Sequence, residues 1–170
     1  MLTIAPLAPA DRADWERLFR GYIAFYERDE PQAMYDRAWA AFMAGDRLHA
    51  LGARLAAAAG GPYRSAQGAE SLPPEGGENA VAKLVGITHF FVHPSTSGPD
   101  VCYLQDLFTD QAARGQGVGR SLIAAAADWA REQGCGRLYW LTHESNATAR
   151  ALYDKVAVNR GFIRYDIALT

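Results

Sequence analysis

Cysteine is scarce in this 170-residue chain, which has only two, Cys102 and Cys135. Both sit in apolar surroundings, which points to buried free thiols rather than a disulfide or a metal-binding pair. Histidine is nearly as sparse, with four in all. His89 and His93 stand at i and i+4, so a strand turns them to the same side. No cysteine or carboxylate completes a recognisable zinc set with them, and His49 and His143 are distant in sequence. No metal is expected. No apolar run reaches the length that spans a bilayer, and the N-terminus lacks a basic segment followed by an apolar one. The expectation is a cytoplasmic protein with no membrane partner. The net charge of -2 gives no general reason to bind nucleic acid, although a mildly acidic surface is compatible with a cationic substrate. A hydrophobic content of 49% excludes a mainly disordered chain, and the length suits one domain over residues 1–170 with a substantial core.

Several elements are legible in order. Leu2 to Ala5 reads as a short strand, punctuated by Pro6 and Pro9, with Asp11 placed to cap the next helix. From Trp15, the residues Leu18, Phe19, Tyr22, Phe25 and Tyr26 recur at helical spacing. A second helix starts near Pro31, carries Met34, Ala38, Trp39 and Phe42 on its apolar side, and ends at Gly45-Asp46. Arg47 to Ala56 predicts a strand. Residues 60–80 are rich in Gly and Pro and read as a flexible hairpin insertion, long enough to serve as a flap over a site. Val81 to His93 predicts the next strand, with a bulge or bend at Gly86, and the strands follow one another as an antiparallel meander.

The organising stretch begins at Val101. Val101 to Thr109 is apolar and β-rich, a buried strand by pattern. Gly115, Gly117 and Gly119 follow, and Ser121 to Gln133 is then a strong helix former. A strand, a glycine turn and a helix start make an anion site, because unpaired N–H groups and the helix dipole converge there. No Lys follows Gly119, which excludes a Walker loop. The spacing is G-x-G-x-G, which fails the dinucleotide fingerprint G-x-G-x-x-G. A plain tight turn is the alternative reading, but three alternating glycines before a helix are costly in backbone entropy unless bare amides are needed. Arg137 to Thr142 predicts a strand parallel to Val101–Thr109, since a long helix crosses between them.

Arg114-Gly115-Gln116-Gly117-Val118-Gly119 resembles the pyrophosphate motif [RQ]-x-x-G-x-[GA] of the GCN5-related N-acetyltransferases (GNAT), with Arg114, Gly117 and Gly119 at its fixed positions. Leu104 to Phe108 is similar to the preceding strand in the polyamine and histone-type branch of that family, and Asn146 and Tyr153 resemble the later Asn and Tyr of its second cofactor segment. The likeness covers roughly residues 80 to 166. It implies a single-domain α/β fold. The sheet is mixed and mostly antiparallel, with six to seven strands flanked by helices, and its central parallel strands splay apart. Acetyl-CoA is then the cosubstrate. Its pyrophosphate is expected on the backbone of Gly115, Gln116, Gly117, Val118, Gly119 and Arg120, with charge from Arg114 and Arg120. Its pantetheine arm is expected on Leu107, Phe108 and Thr109 and beside Asn146, which also suits a helix cap. The pattern departs from the family after Tyr153, where the spacing to Gly161-Phe162 is longer. The helix is expected to run to about Val156, and Ile163 to Leu169 to form a last strand.

The implied reaction is direct acetyl transfer to a primary amine. Asp106 is the candidate base for the ammonium proton, or else orients backbone or water near it. The resemblance leads one to expect Glu-Asp at Gln105-Asp106, so one carboxylate is absent here. A backbone N–H near Leu107 or Phe108 is placed to meet charge on the carbonyl oxygen, and Tyr153 is the candidate acid for the CoA thiolate. Tyr22, Tyr26, Glu27 and Asp106 are the candidate acceptor-binding residues. The aromatic set Tyr22, Phe25, Tyr26, Tyr35 and Trp39 reads either as core between two helices or as a wall of the acceptor site. Glu27, Asp29 and Glu30 read either as a solvated helix end or as an attractor of cations. A small polyamine-like amine is the expected partner. Acetylation of a protein lysine or N-terminus, or a non-catalytic CoA-binding regulatory domain, are the alternatives. A homodimer is plausible on the same resemblance.

Overall fold

A computed structural model describes residues 1–56 and 82–169. The insertion expected at 60–80 lies outside the described residues. The chain divides into two compact units, Met1–Tyr139 and Trp140–Thr170.

The first unit holds a five-stranded sheet in the order β1-β2-β3-β4-β5. Its strands are β1 (Leu2–Pro6), β2 (His49–Leu55), β3 (Lys83–His93), β4 (Val101–Thr109) and β5 (Arg137–Tyr139). The first four form the expected antiparallel meander, and β5 joins β4 in parallel after the crossover helix α3 (Val118–Glu132). Helices α1 (Arg12–Phe25) and α2 (Gln32–Ala44) lie between β1 and β2 in sequence. Asp11 occupies the N-cap of α1 but its side chain makes no capping bond to that helix. Its carboxylate accepts from Ala8 N at 2.7 Å and pairs with Arg54 instead.

Alternation along β3 sorts the helices onto opposite faces of the sheet. His89 packs against Trp15 of α1 and Phe42 of α2, while the next residue, Phe90, meets Trp129 of α3 at 4.9 Å between rings. The α1/α2 face buries Leu7, Trp15, Leu18, Phe19, Ile23, Tyr35 and Ile87. Each large side chain of α1 in that set stabilises its docking by about 1.5–3 kcal/mol. The α3 face buries Val118, Leu122, Ile123, Ala126 and Ala130, the apolar side of an amphipathic helix.

Two irregularities interrupt the ladder. One falls at Val85, beside Gly86, where β2 and β3 change register. The other falls on β4: Phe90 pairs with Leu104 and His89 with Asp106, which leaves Gln105 as the extra residue. A bulge resets the period of two. Leu104 therefore shares a face with Phe90, and Asp106, two residues on, shares the opposite face with His89.

In the second unit, α4 (Ala147–Val156) is capped by Asn146, whose side-chain Oδ1 accepts from Ala149 N at 3.3 Å. The helix ends where the sequence places it. The strand expected over Ile163 to Leu169 is not formed, and β5 ends at Tyr139 rather than Thr142. The described sheet thus has five strands and not six to seven. Alternation determines which side chains share a face, but a strand also needs a partner ladder for its N–H and C=O groups. Phe162, Ile163, Tyr165, Ile167 and Leu169 are each at least 75% exposed.

Candidate active site

The turn after β4 is built by short-range bonds. Asp110 accepts from Ala112 N at 3.2 Å and closes a 3-10 turn over Gln111–Ala113. Its other oxygen meets Arg17 Nη1 of α1 at 2.8 Å, and Arg17 Nη2 also donates to Leu84 O at 3.1 Å. This ties α1 to the turn, and the Arg17 hydrogen bond holds the Asp110 carboxyl below its ordinary range. Arg114 Nε donates to Thr109 O at 3.4 Å and Gln116 Nε2 to Ala112 O at 3.3 Å.

Gly115 and Gly117 then take φ values of +77° and +80°, the left-handed region that other residues avoid. A Cβ on either would meet nothing within 4 Å, so open space lies over both. Val118 is buried and anchors the helix start. Ser121 N is the first amide bonded into α3, to Gly117 O at 3.0 Å, so the amides of Val118, Gly119 and Arg120 precede the helix ladder. Bare amides at a helix N-terminus, with open space over the two glycines that precede it, suit a diphosphate. A cleft of about 460 Å³ adjoins this turn, between Arg17, Gly21 and Phe25 on α1 and Phe108, Asp110 and Arg114.

The pairing of β4 with β5 stops at Tyr103–Tyr139. From Leu104 to Thr109, β4 pairs with no strand on that side among the described residues. Leu107, Phe108 and Thr109 lie on this edge, each partly buried.

Asp106 is buried, at 8% exposure. His89 Nδ1 lies 2.9 Å from its Oδ2, and the Tyr22 hydroxyl of α1 also hydrogen-bonds it. Burial, then the Asp106 charge, push the Tyr22 phenol far above its usual range, so it stays protonated and donates. Tyr26 packs on Tyr22 at 5.1 Å in a T-shaped pair. Glu27, just past α1, is exposed with φ +54°. The aromatic set thus divides. Tyr35 and Trp39 belong to the core, Phe25 is 55% and Tyr26 38% exposed, and Tyr22 lies between. Of the acidic cluster, Glu30 pairs with Arg28.

Asn146, besides capping α4, donates to Thr142 Oγ1 at 3.4 Å. Tyr153 lies on α4 with its ring 5.3 Å from that of Trp140. Cys102 is fully buried and its thiol is pushed up to about 12 by burial, while burial also raises Cys135. Neither supplies a thiolate at neutral pH. Among the described residues, no group of three His, Cys, Asp or Glu is disposed to hold a metal. Sequence reasoning misses Trp15, Arg17, His89 and Asp110 as parts of this arrangement. Only Asp110, a turn-type residue just after a strand, carries a local signal.

A family model described as acetyltransferase (GNAT) family matches residues 63–157, more than half of the chain. The chain belongs to the GNAT family. A D-amino-acid N-acetyltransferase of Saccharomyces cerevisiae is 27% identical over 165 residues, 96% of this chain and 89% of that protein. An aminoglycoside N(6')-acetyltransferase of Stenotrophomonas maltophilia is 29% identical over 136 residues, 80% of this chain and 72% of that one. A solved aminoglycoside N-acetyltransferase in complex with CoA has the same fold, with a TM-score of 0.68 at 16% identity, covering 100% of this chain and 93% of that one. This GNAT protein is an acetyl-CoA-dependent acyltransferase, with acetyl-CoA as its cosubstrate.

Proposed function

We propose that this acetyltransferase moves acetyl from acetyl-CoA directly to a primary amine of a small, polyamine-like molecule. The observation that carries the reading is Asp106, a buried carboxylate on the α1 side of the sheet, bonded to Tyr22 and next to the open edge of β4. An ammonium must lose a proton before it can act as a nucleophile, and Asp106 is the group that accepts it. Tyr22, Tyr26 and Glu27 form the acceptor wall, where aromatic faces and negative charge favour a cation. The named relatives act on D-amino acids and aminoglycosides, both small amines.

When bound, acetyl-CoA supplies an activated acetyl thioester. Gly115, Gln116, Gly117, Val118, Gly119 and Arg120 hold its diphosphate through their amides, with Arg114 and Arg120 adding charge. Leu107, Phe108 and Thr109 offer backbone groups to the pantetheine arm, and a backbone N–H near Leu107 or Phe108 faces the carbonyl oxygen. On the family pattern, Asn146 meets the same arm and Tyr153 protonates the departing thiolate. The exposed alternating residues from Phe162 to Leu169 support a homodimer, in which a second copy provides the missing ladder partner.

The test is acetyl-CoA-dependent CoA release with spermidine, D-lysine, neamine and a lysine peptide as acceptors, with product masses confirmed. Selective acetylation of a small amine is expected. Preference for the peptide would favour the protein-acetylating reading. Sedimentation of the protein alone reports the dimer.

A further inference from the structure

We propose that His89 is a positioning residue for acetyl transfer: Trp15 locks it as the neutral Nδ1–H tautomer, and in that form it holds Asp106 as an anion ready for the acceptor proton. This rests on the reading of Asp106 as the proton acceptor.

The tautomer follows from the partners. An indole N–H can only donate. Trp15 Nε1 lies 2.9 Å from His89 Nε2, so that nitrogen accepts. The single ring proton is then on Nδ1, which donates to Asp106 Oδ2 at 2.9 Å. Both members of the pair are inside the protein, with Trp15 at 0% and His89 at 2% exposure. The imidazole is also enclosed by rings: Phe42 stacks on it at 4.4 Å and Phe19 meets it edge-on at 4.8 Å. An imidazolium here would turn an Nε2–H against the indole N–H, two donors with no acceptor, inside an aromatic cage. His89 therefore donates throughout the cycle and takes no proton itself, despite being the residue type most often used as a base.

Asp106 is accordingly the member of the pair left to take the acceptor's proton. The titratable groups facing it are His89 from β3 and Tyr22 from α1, with Tyr26 and Tyr103 acting on Tyr22. Among the described residues α2 meets the pair through the Phe42 ring. Thr88 Oγ1 donates to the Asp106 carbonyl at 2.9 Å and fixes the backbone at the Gln105 bulge. In the reaction the proton leaves the acceptor ammonium and joins an Asp106 oxygen, which leaves the amine lone pair free and the acid neutral. Solvent then takes that proton. The donor on Oδ2 favours the anion, so removing it raises the carboxylate's proton affinity.

The experiment measures kcat/KM against pH for wild type, His89→Asn and His89→Leu, using whichever acceptor in the panel above reacts fastest. Expected for His89→Leu is an acid limb about one pH unit higher, the effect of losing one hydrogen bond to a charged group. His89→Asn, which can still donate from near Nδ1, should restore most of the shift. A uniform drop with the limb unmoved would mean a merely structural role and would overturn the proposal. Asp106→Asn separates the two readings: full activity there would remove the base itself, while lost activity with an unmoved His89→Leu limb would remove only the histidine's part. Should His89→Leu fail to fold, nitrogen-15 NMR of the wild-type imidazole decides. A proton on Nδ1 alone from pH 5 to 8 is expected, and an Nε2–H or an imidazolium in that range would refute it.

Discussion

Gly86 sets how closely α3 can approach the sheet, and a single methyl there tests whether that approach matters to the proposed cofactor cradle. A Cβ at this position would stand 2.6 Å from Val118 Cγ1, 3.1 Å from Phe108 O and 3.2 Å from Leu122 Cδ1. Carbon atoms prefer a separation of about 3.5–4.0 Å, so relief needs a movement of roughly 1 Å. Val118 cannot yield by itself, because it is buried and opens the helix. Phe108 O is backbone of β4. The N-terminal turn of α3 must therefore move away from the strand that precedes the cradle. Overpacking of this kind costs about 2 kcal/mol, equivalent to a Tm lower by about 4–8 °C at this chain length. The displaced amides should also bind acetyl-CoA about tenfold more weakly. Calorimetric titration with acetyl-CoA and thermal unfolding of Gly86→Ala check both numbers. Gly98→Ala is the control, since a Cβ there meets nothing within 4 Å. If Gly86→Ala keeps both its Tm and its affinity, the packing of Gly86 against the helix start is not what positions the cradle.

Other substitutions probe the remaining parts. Gly117→Val should strain the backbone at φ +80° by about 1–2 kcal/mol and also obstruct the ligand, whereas Gly117→Asn should recover stability but not affinity; wild-type acetyl-CoA affinity in Gly117→Val would sink the diphosphate assignment. Tyr153→Phe should lower kcat about a hundredfold with acetyl-CoA affinity kept, and unchanged turnover under conditions where chemistry limits the rate would remove it from the acid role. The Asp110 carboxyl is held low by Arg17, so its contribution to stability is present above the ordinary carboxyl pKa and is lost as pH falls through the lower folded value. Wild type should accordingly lose more Tm than Asp110→Asn between about pH 5 and pH 3, and parallel curves would show that the Arg17–Asp110 pair carries no linkage.

Much of the architecture is a local property of the chain. The meander, the crossover helix and the glycine turn are written in periods of two and 3.6, in Gly and Pro punctuation, and in one motif within reach of a single helix start. Gly115 and Gly117 adopt left-handed backbone just ahead of the helix start, and Asn146 caps the helix it precedes. The last strand shows the limit of such patterns. Ile163 to Leu169 alternates well, but alternation does not furnish a neighbour to bond with.

The surroundings of Asp106 belong to the other category. In the sequence it is one polar residue on a strand, and His89 and His93 form a pair with no ligand set. Their relation depends on the β3–β4 register, and that register depends on one extra residue at Gln105. A regular ladder would place Asp106 on the same face as Leu104, toward α3. The bulge turns it to the α1 face, where Tyr22 and the Trp15–His89 pair are waiting. The sequence by itself determined most of the elements, their order and the glycine turn, because each is settled by neighbours a few positions apart. Tertiary structure alone decided which buried donors meet the carboxylate, because cross-strand register and helix docking join residues far apart in the chain and leave no mark on the spacing between them.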